Sequence, residues 1–306
     1  MTGVVKRKPW RFNQVGAVAN LLISCLFVIL ALATLLPLAF VIIISFSSEA
    51  SIVEKGYSFM PSGWSLDAYD YLLDTGNYIG RSFLNSIGIT IVGTLLGLIL
   101  ISTLGYSISR RTFRLRGFYT AFIFIPMLFS GGLVATYMVN TQVYGLKNTY
   151  LALILPGACS TWYAIIMRTF FQTTIPDSII ESGKIDGASQ LRIFTGLVLP
   201  ISLPVIATIG LFLTFSYWNA WYGAMIYLDS QHRELFPLQY VLVSIQKSVA
   251  FMARNEEYFT SDIVKTIPAE TTRMAIVTVV VLPIACSYPF FQRYFVGGLT
   301  IGAVKG

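Results

Sequence analysis

From Ile193 to Leu228 the chain runs for 36 residues without an Asp, Glu, Lys, Arg or His. A soluble fold of this size rarely hides so long a segment from water. A bilayer accepts it, because about 20 apolar residues cross the hydrocarbon core. The stretch is too long for one upright crossing. Its Pro200–Pro204 beginning reads as the cytoplasmic start of a span, and Trp218–Tyr227 as an interfacial or lumen-lining end. Composition points the same way. The chain is 55% hydrophobic and only 11% charged, whereas soluble domains carry about 25% charged residues. Trp, Tyr and Phe make up 14%, which suits aromatic belts at two membrane interfaces.

Five further apolar runs accompany this one. Spans are expected at about 20–46, 83–109, 118–139, 150–167, 195–221 and 274–295. The first follows the basic Lys6, Arg7, Lys8 and Arg11, but it is far longer than the 7–15 residues of a signal-peptide core. It therefore stays in the membrane. Residues 1–19 form a cytoplasmic N-terminal segment, and residues 20–306 one all-α polytopic domain. Six spans place both termini on one side. With that side cytoplasmic, thirteen of the 21 Lys and Arg residues lie inside, including the Arg110–Arg116 cluster, and only three of the 14 acids do. Short basic loops orient membrane proteins in this sense. The net charge of +7 is spread over such loops and does not form a nucleic-acid surface. Long outer loops remain at about 47–82 and 222–273. The second contains Leu235–Met252, patterned as an amphipathic helix on the outer face.

No GxxxxGK[ST], HExxH or GxSxG pattern occurs, and no catalytic residue, metal ligand set or cofactor site is expected in this chain. Cys25, Cys159 and Cys286 are far apart, without CxxC or Cys/His spacing. His232 is alone. Apart from Arg293 near the end of the sixth, the spans hold no Asp, Glu, Lys, Arg or His. Ion-coupled carriers usually place such groups in the membrane. A secondary carrier for a small polar solute is the alternative; its sodium site would have to use backbone carbonyls. Otherwise the driving energy comes from another chain.

One charged segment interrupts the apolar pattern. Glu181-Ser182-Gly183 is followed by Asp186-Gly187-Ala188, and nine residues after Gly187 comes Leu197-Val198-Leu199-Pro200. This spacing resembles the loop E-A-A-x-x-x-G, nine residues, I-x-L-P of ABC importer permeases. Ser182 and Gly183 replace two alanines, and Leu197 an isoleucine. Phe215-Ser216-Tyr217-Trp218-Asn219 and Phe236-Pro237-Leu238-Gln239 resemble the F-x-x-W-N and P-L region of maltose-type carbohydrate permeases. The similarity extends in particular to the LplC/YtcP-like branch, associated with complex oligosaccharides. It implies a type I ABC importer permease fold in a bacterial or archaeal inner membrane, with both termini cytoplasmic. It implies that segment 176–200 carries a coupling helix docking on an ATPase through Glu181, Ser182, Gly183, Asp186, Gly187, Ala188, Leu199 and Pro200. It further implies a second, non-identical permease, two ATP-binding subunits that hold ATP and Mg, and an extracytoplasmic solute-binding protein.

Pro176 before Asp177 and Ser178 is a good helix start. Ile179, Ile180, Gly183 and Gly187 then share one side of a short helix, with the two glycines allowing close approach and Gly187 also able to turn the chain. Sugars offer C–H faces to aromatic rings and hydroxyls to amides and phenols. Tyr217, Trp218, Asn219, Trp221 and Tyr222 are therefore the substrate-path candidates, although plain interfacial anchoring also explains such residues. Asn85, Ser86, Tyr137 and Asn140 are weaker candidates, since helix packing uses polar residues too.

Overall fold

The computed structural model describes residues 16–74, 78–254 and 269–303, and among these every extended element is a helix. The first apolar run is one helix, α1 (Ala17–Ser45). Short helices α2 (Glu49–Lys55) and α3 (Asp67–Asp74) follow. Next comes the long α4 (Tyr78–Ser109). The third run is divided into α5 (Arg116–Leu128) and α6 (Gly132–Met138), the latter continued by a π-helical turn over Val139–Val143. The fourth run is α7 (Tyr150–Ala158) and α8 (Thr161–Thr174). The charged segment is α9 (Asp177–Ile185). It leads through α10 (Gln190–Ile193), a π-helical turn over Phe194–Val198 and α11 (Leu199–Ile201) into α12 (Leu203–Trp218). The chain closes with α13 (Tyr222–Tyr227), α14 (Leu238–Arg254) and α15 (Ala269–Ala303).

Among the described residues three helices are long and apolar enough to cross a membrane, and up to six crossings result if each bent pair counts as one. The bends were not visible as such in the hydropathy. The α5–α6 pair turns by 120°, α7–α8 by 43°, and the α10–α11 segment meets α12 at 81°. Each has a local cause. Gly132 sits at φ +78°, a left-handed conformation that only glycine adopts freely. Pro156 and the non-helical Cys159 precede α8. Ser202 stands between Pro200 and Pro204, each of which removes a backbone donor. The fifth expected span, 195–221, therefore falls on two segments that meet at Ser202, with α12 (Leu203–Trp218) after the bend.

The centre of the bundle is α4, packed on α5, α7, α8, α12 and α14. Gly93, Gly97 and Gly105 lie on one of its faces. A Cβ at Gly93 would come within 2.6 Å of the Tyr217 ring, one at Gly97 within 2.9 Å of Leu213, and one at Gly105 within 2.9 Å of Met167. In lipid the hydrophobic effect does not press helices together, so close van der Waals packing across small residues does. Two surfaces stay uncovered. The apolar side chains of α1 are almost all exposed, and α5 and α6 bury no residue. At the end of the bundle opposite α9, Glu49 accepts hydrogen bonds from the backbone N–H groups of Glu270 and Thr271 at 3.0 and 3.1 Å. A carboxylate there answers the unpaired donors and positive dipole end of α15, and it seats α2 on that helix.

Candidate functional site

Pro176 precedes α9 in an extended conformation, and Asp177 supplies negative charge in the first turn. The helix stops at a Schellman turn. Gly187 has φ +76°; its N–H donates to Lys184 O at 3.0 Å, and Ala188 N–H donates to Gly183 O at 2.9 Å. That is the 5→2 and 6→1 pattern of such caps. Ser189 then caps α10, its Oγ accepting from Arg192 N–H at 3.3 Å. The charged motif therefore encodes a helix, a stop and a second start within a dozen residues.

The two motif glycines have different duties. A Cβ at Gly187 would meet nothing within 4 Å, so its requirement is conformational. Gly183 is buried, and a Cβ there would sit 3.1 Å from Ile193 and 3.2 Å from Leu197. It lets α9 lie against the chain's own α10 and the π-helical turn after it. Ile180 is buried on the same side, over a core of Ile193, Phe194, Val198, Phe171 and Tyr106. Glu181, Ser182, Asp186, Gly187 and Pro200 are exposed, and Ala188 and Leu199 are half-buried. Two apolar residues absent from the sequence candidates stand out on the exposed side: Ile185 is 85% and Leu191 71% exposed. Apolar residues inside so charged a segment were the available signal.

A single arginine braces this segment to the bundle. Arg110, just past α4, donates through Nε to Ser109 Oγ at 2.9 Å and through its terminal nitrogens to Phe171 O at 2.9 Å and Asp177 Oδ1 at 3.2 Å. Its guanidinium also lies 5.3 Å from the Tyr106 ring centroid. One planar fork thus ties together α4, α8 and the first residue of α9, a geometry that lysine cannot reproduce.

The aromatic candidates divide. The Tyr217 hydroxyl donates to Ile154 O at 2.7 Å, and its ring fills the notch at Gly93 and Gly157. Trp218 Nε1 donates to Val280 O at 3.1 Å, and its ring meets Phe83 edge-on. Both are buried and join helices. Asn219 is exposed at the end of α12; its Nδ2 donates back to Phe215 O, while its Oδ1 accepts from Gln239 Nε2 at 3.4 Å. Trp221 and Tyr222 contact edge-on, Tyr222 is 46% exposed, and Lys247 Nζ lies 5.4 Å from the Trp221 ring centroid. Beside them a cavity of about 280 Å³ is lined by residues including Ser216, Tyr217, Ala220, Gly223 and Tyr227. Asn85 and Ser86 also have structural partners. Asn85 Nδ2 donates to Glu234 O and Phe236 O, and Ser86 Oγ accepts from Leu238 N–H at 2.8 Å. They hold the loop leading into α14 to α4. Asn140 donates to the Tyr227 hydroxyl, and Tyr137 stacks on the Tyr227 ring.

Below that loop, Asp229 joins the segment before α7. It accepts from Asn148 Nδ2 at 3.0 Å and pairs with Lys147 at 3.2 Å. Those contacts, the Asn148 hydrogen bond first, hold its carboxyl below the ordinary range. Among the described residues no group of His, Cys, Asp and Glu is arranged to hold a metal.

A helical chain with up to six membrane crossings, bent at glycines and prolines and carrying one braced, motif-bearing helix at one end, defines a polytopic membrane permease. It belongs to the family of binding-protein-dependent transport system inner membrane components, the permeases of ABC importers, whose family model matches residues 93–300. The chain is 38% identical to the polygalacturonan/rhamnogalacturonan transport system permease protein YtcP of Bacillus subtilis, over 94% of this chain and 98% of that one. It is 36% identical to protein LplC of the same organism, over 89% and 90% of the two chains. Among solved structures, a bacterial ABC transporter involved in the import of the acidic polysaccharide alginate superposes with a TM-score of 0.76 at 29% identity, covering 91% of this chain and 96% of that one. These relatives lend no support to an ion-coupled secondary carrier.

Proposed function

We propose that this chain is one permease subunit of an ATP-driven importer that carries oligosaccharides, uronate-containing ones in particular, into a bacterial cell. The full-length similarity to a polygalacturonan/rhamnogalacturonan permease carries the substrate class, and the alginate importer agrees with it. In this reading the α9 end faces the cytoplasm, as do both termini. The exposed Glu181, Ser182, Ile185, Asp186 and Leu191 meet an ATPase subunit; Gly183, Gly187 and Ala188 shape the helix, and Leu199 and Pro200 set its exit towards α12. Two such ATPases hold ATP and Mg, and this chain does no covalent chemistry. Closing of the ATPase pair moves α9, and the Arg110 brace passes that motion to α4 and α8. A second, non-identical permease covers apolar surface such as α6. An extracytoplasmic binding protein delivers substrate near Asn219, Trp221 and Tyr222.

The test is reconstitution of the purified permease pair with its ATPases and binding protein. ATP turnover should rise when the binding protein is loaded with oligogalacturonides, and much less with neutral arabino-oligosaccharides. Failure of any ATPase to co-purify defeats the importer assignment; equal stimulation by both glycans defeats the uronate assignment alone.

A further inference from the structure

At the α9 end, between the end of α4, the start of α5 and the end of α8, lies a recess of about 460 Å³. Four guanidinium groups (Arg110, Arg111, Arg116 and Arg168) line it against a single carboxylate, Asp177. Arg110 is already committed to Ser109, Phe171 and Asp177. Asp177 is largely exposed, with 63% of its side chain open, so it screens the remaining three poorly. Arg168 Nε is buried and makes no hydrogen bond among the described residues. A buried charged donor left unpaired is costly, and a bound anion relieves it. Guanidinium forks match the oxygens of a phosphate in pairs.

An apolar track starts where the recess ends. Arg116 is the first residue of α5. On the side of α5 that Arg116 occupies, Tyr119, Ile123 and Met127 then follow at helical spacing; Tyr119 is 38% and Met127 45% exposed, and Ile123 is half-buried. Over its 13 residues, α5 is about 20 Å long at 1.5 Å per residue, comparable to an extended acyl chain. A polar anion recess continuous with an apolar helix face is complementary to an amphiphile with an anionic head, not to a free ion. Basic pockets between helices on the cytoplasmic side of membranes bind such headgroups.

We infer that this recess is a binding site for an anionic phospholipid, whose phosphate is held by Arg111, Arg116 and Arg168 and whose acyl chain lies along Tyr119, Ile123 and Met127. The bound lipid fills the corner between α4, α5 and α8 at the root of α9. The assignment rests on the proposed orientation, with the α9 end cytoplasmic, and not on the sugar.

The assembled importer, stripped of lipid in detergent, is titrated with phosphatidylglycerol or phosphatidylcholine, and bound lipid is counted by native mass spectrometry. Phosphatidylglycerol should be retained at least tenfold more tightly. Arg111→Gln, Arg116→Gln and Arg168→Gln should each weaken that retention by about fivefold. Arg114→Gln, from the same basic cluster but outside the recess, should leave it unchanged. If Arg168→Gln fails to assemble, the two rim variants decide. Equal retention of both lipids, rim variants that bind phosphatidylglycerol like the wild type, or full displacement by millimolar inorganic phosphate would overturn the inference. So would a recess already closed to lipid by an ATPase carboxylate in the assembled complex.

Discussion

Replacing Gly187 separates the shape of the motif helix from its contacts. The residue sits at φ +76° with open space around it, so an added Cβ touches nothing within 4 Å. Any effect of Gly187→Ala on the fold therefore comes from backbone conformation. A left-handed alanine costs roughly 1–2 kcal/mol, which multiplies local opening about 5- to 30-fold. The bonds that should loosen are those of the cap: Gly187 N–H to Lys184 O and Ala188 N–H to Gly183 O. Hydrogen exchange at the Ala188 amide reads this directly. Asparagine tolerates the left-handed region better than alanine, so Gly187→Asn should show a smaller loss of protection. Transport-linked ATP turnover should fall in the same order. Unchanged protection in the alanine variant, or an asparagine variant worse than the alanine one, would refute the conformational account.

Other substitutions probe the remaining joints. Arg110→Lys should destabilise the assembled importer by about 2 kcal/mol, because a charge-assisted bond to a carbonyl contributes about 1.5–3 kcal/mol. Asp177→Asn should cost less than about 1 kcal/mol, since the acid is largely exposed and such pairs are weak; thermal unfolding of both variants checks the ranking. Gly93→Val should destabilise by about 1–3 kcal/mol, because the hydroxyl bond to Ile154 O prevents the Tyr217 ring from swinging away. In a Tyr217→Leu background most of that penalty should vanish, and an additive double variant would contradict the contact. The Asp229 carboxyl is depressed, so its stabilisation is complete above the ordinary carboxylate range and is lost as pH falls through its lowered value. Exchange at the Asn148 amide, which donates to Tyr227 O, should accelerate over that acidic window in the wild type. Asp229→Asn should remove the pH dependence.

Local patterns were enough for the membrane spans and the motif helix. The long uncharged run, the basic short loops and the Glu181–Pro200 spacing are properties of neighbouring residues, and lipid is a solvent that the composition reports directly. The helix stop at Gly187 was also readable, because a glycine beyond a charged last turn is a local signal. Which partner each side chain meets is a different matter. The placement of Tyr217 and Trp218 depends on Gly93, Ile154 and Val280, residues 60 or more positions away, and an aromatic near a span end has the same local pattern whether it packs inward or faces a path. The arginine recess arises only when the ends of α4 and α8 meet the start of α5. In the sequence its residues are spread from Ser109 to Asp177, and charge-bearing atoms so far apart acquire a common neighbour only through tertiary packing.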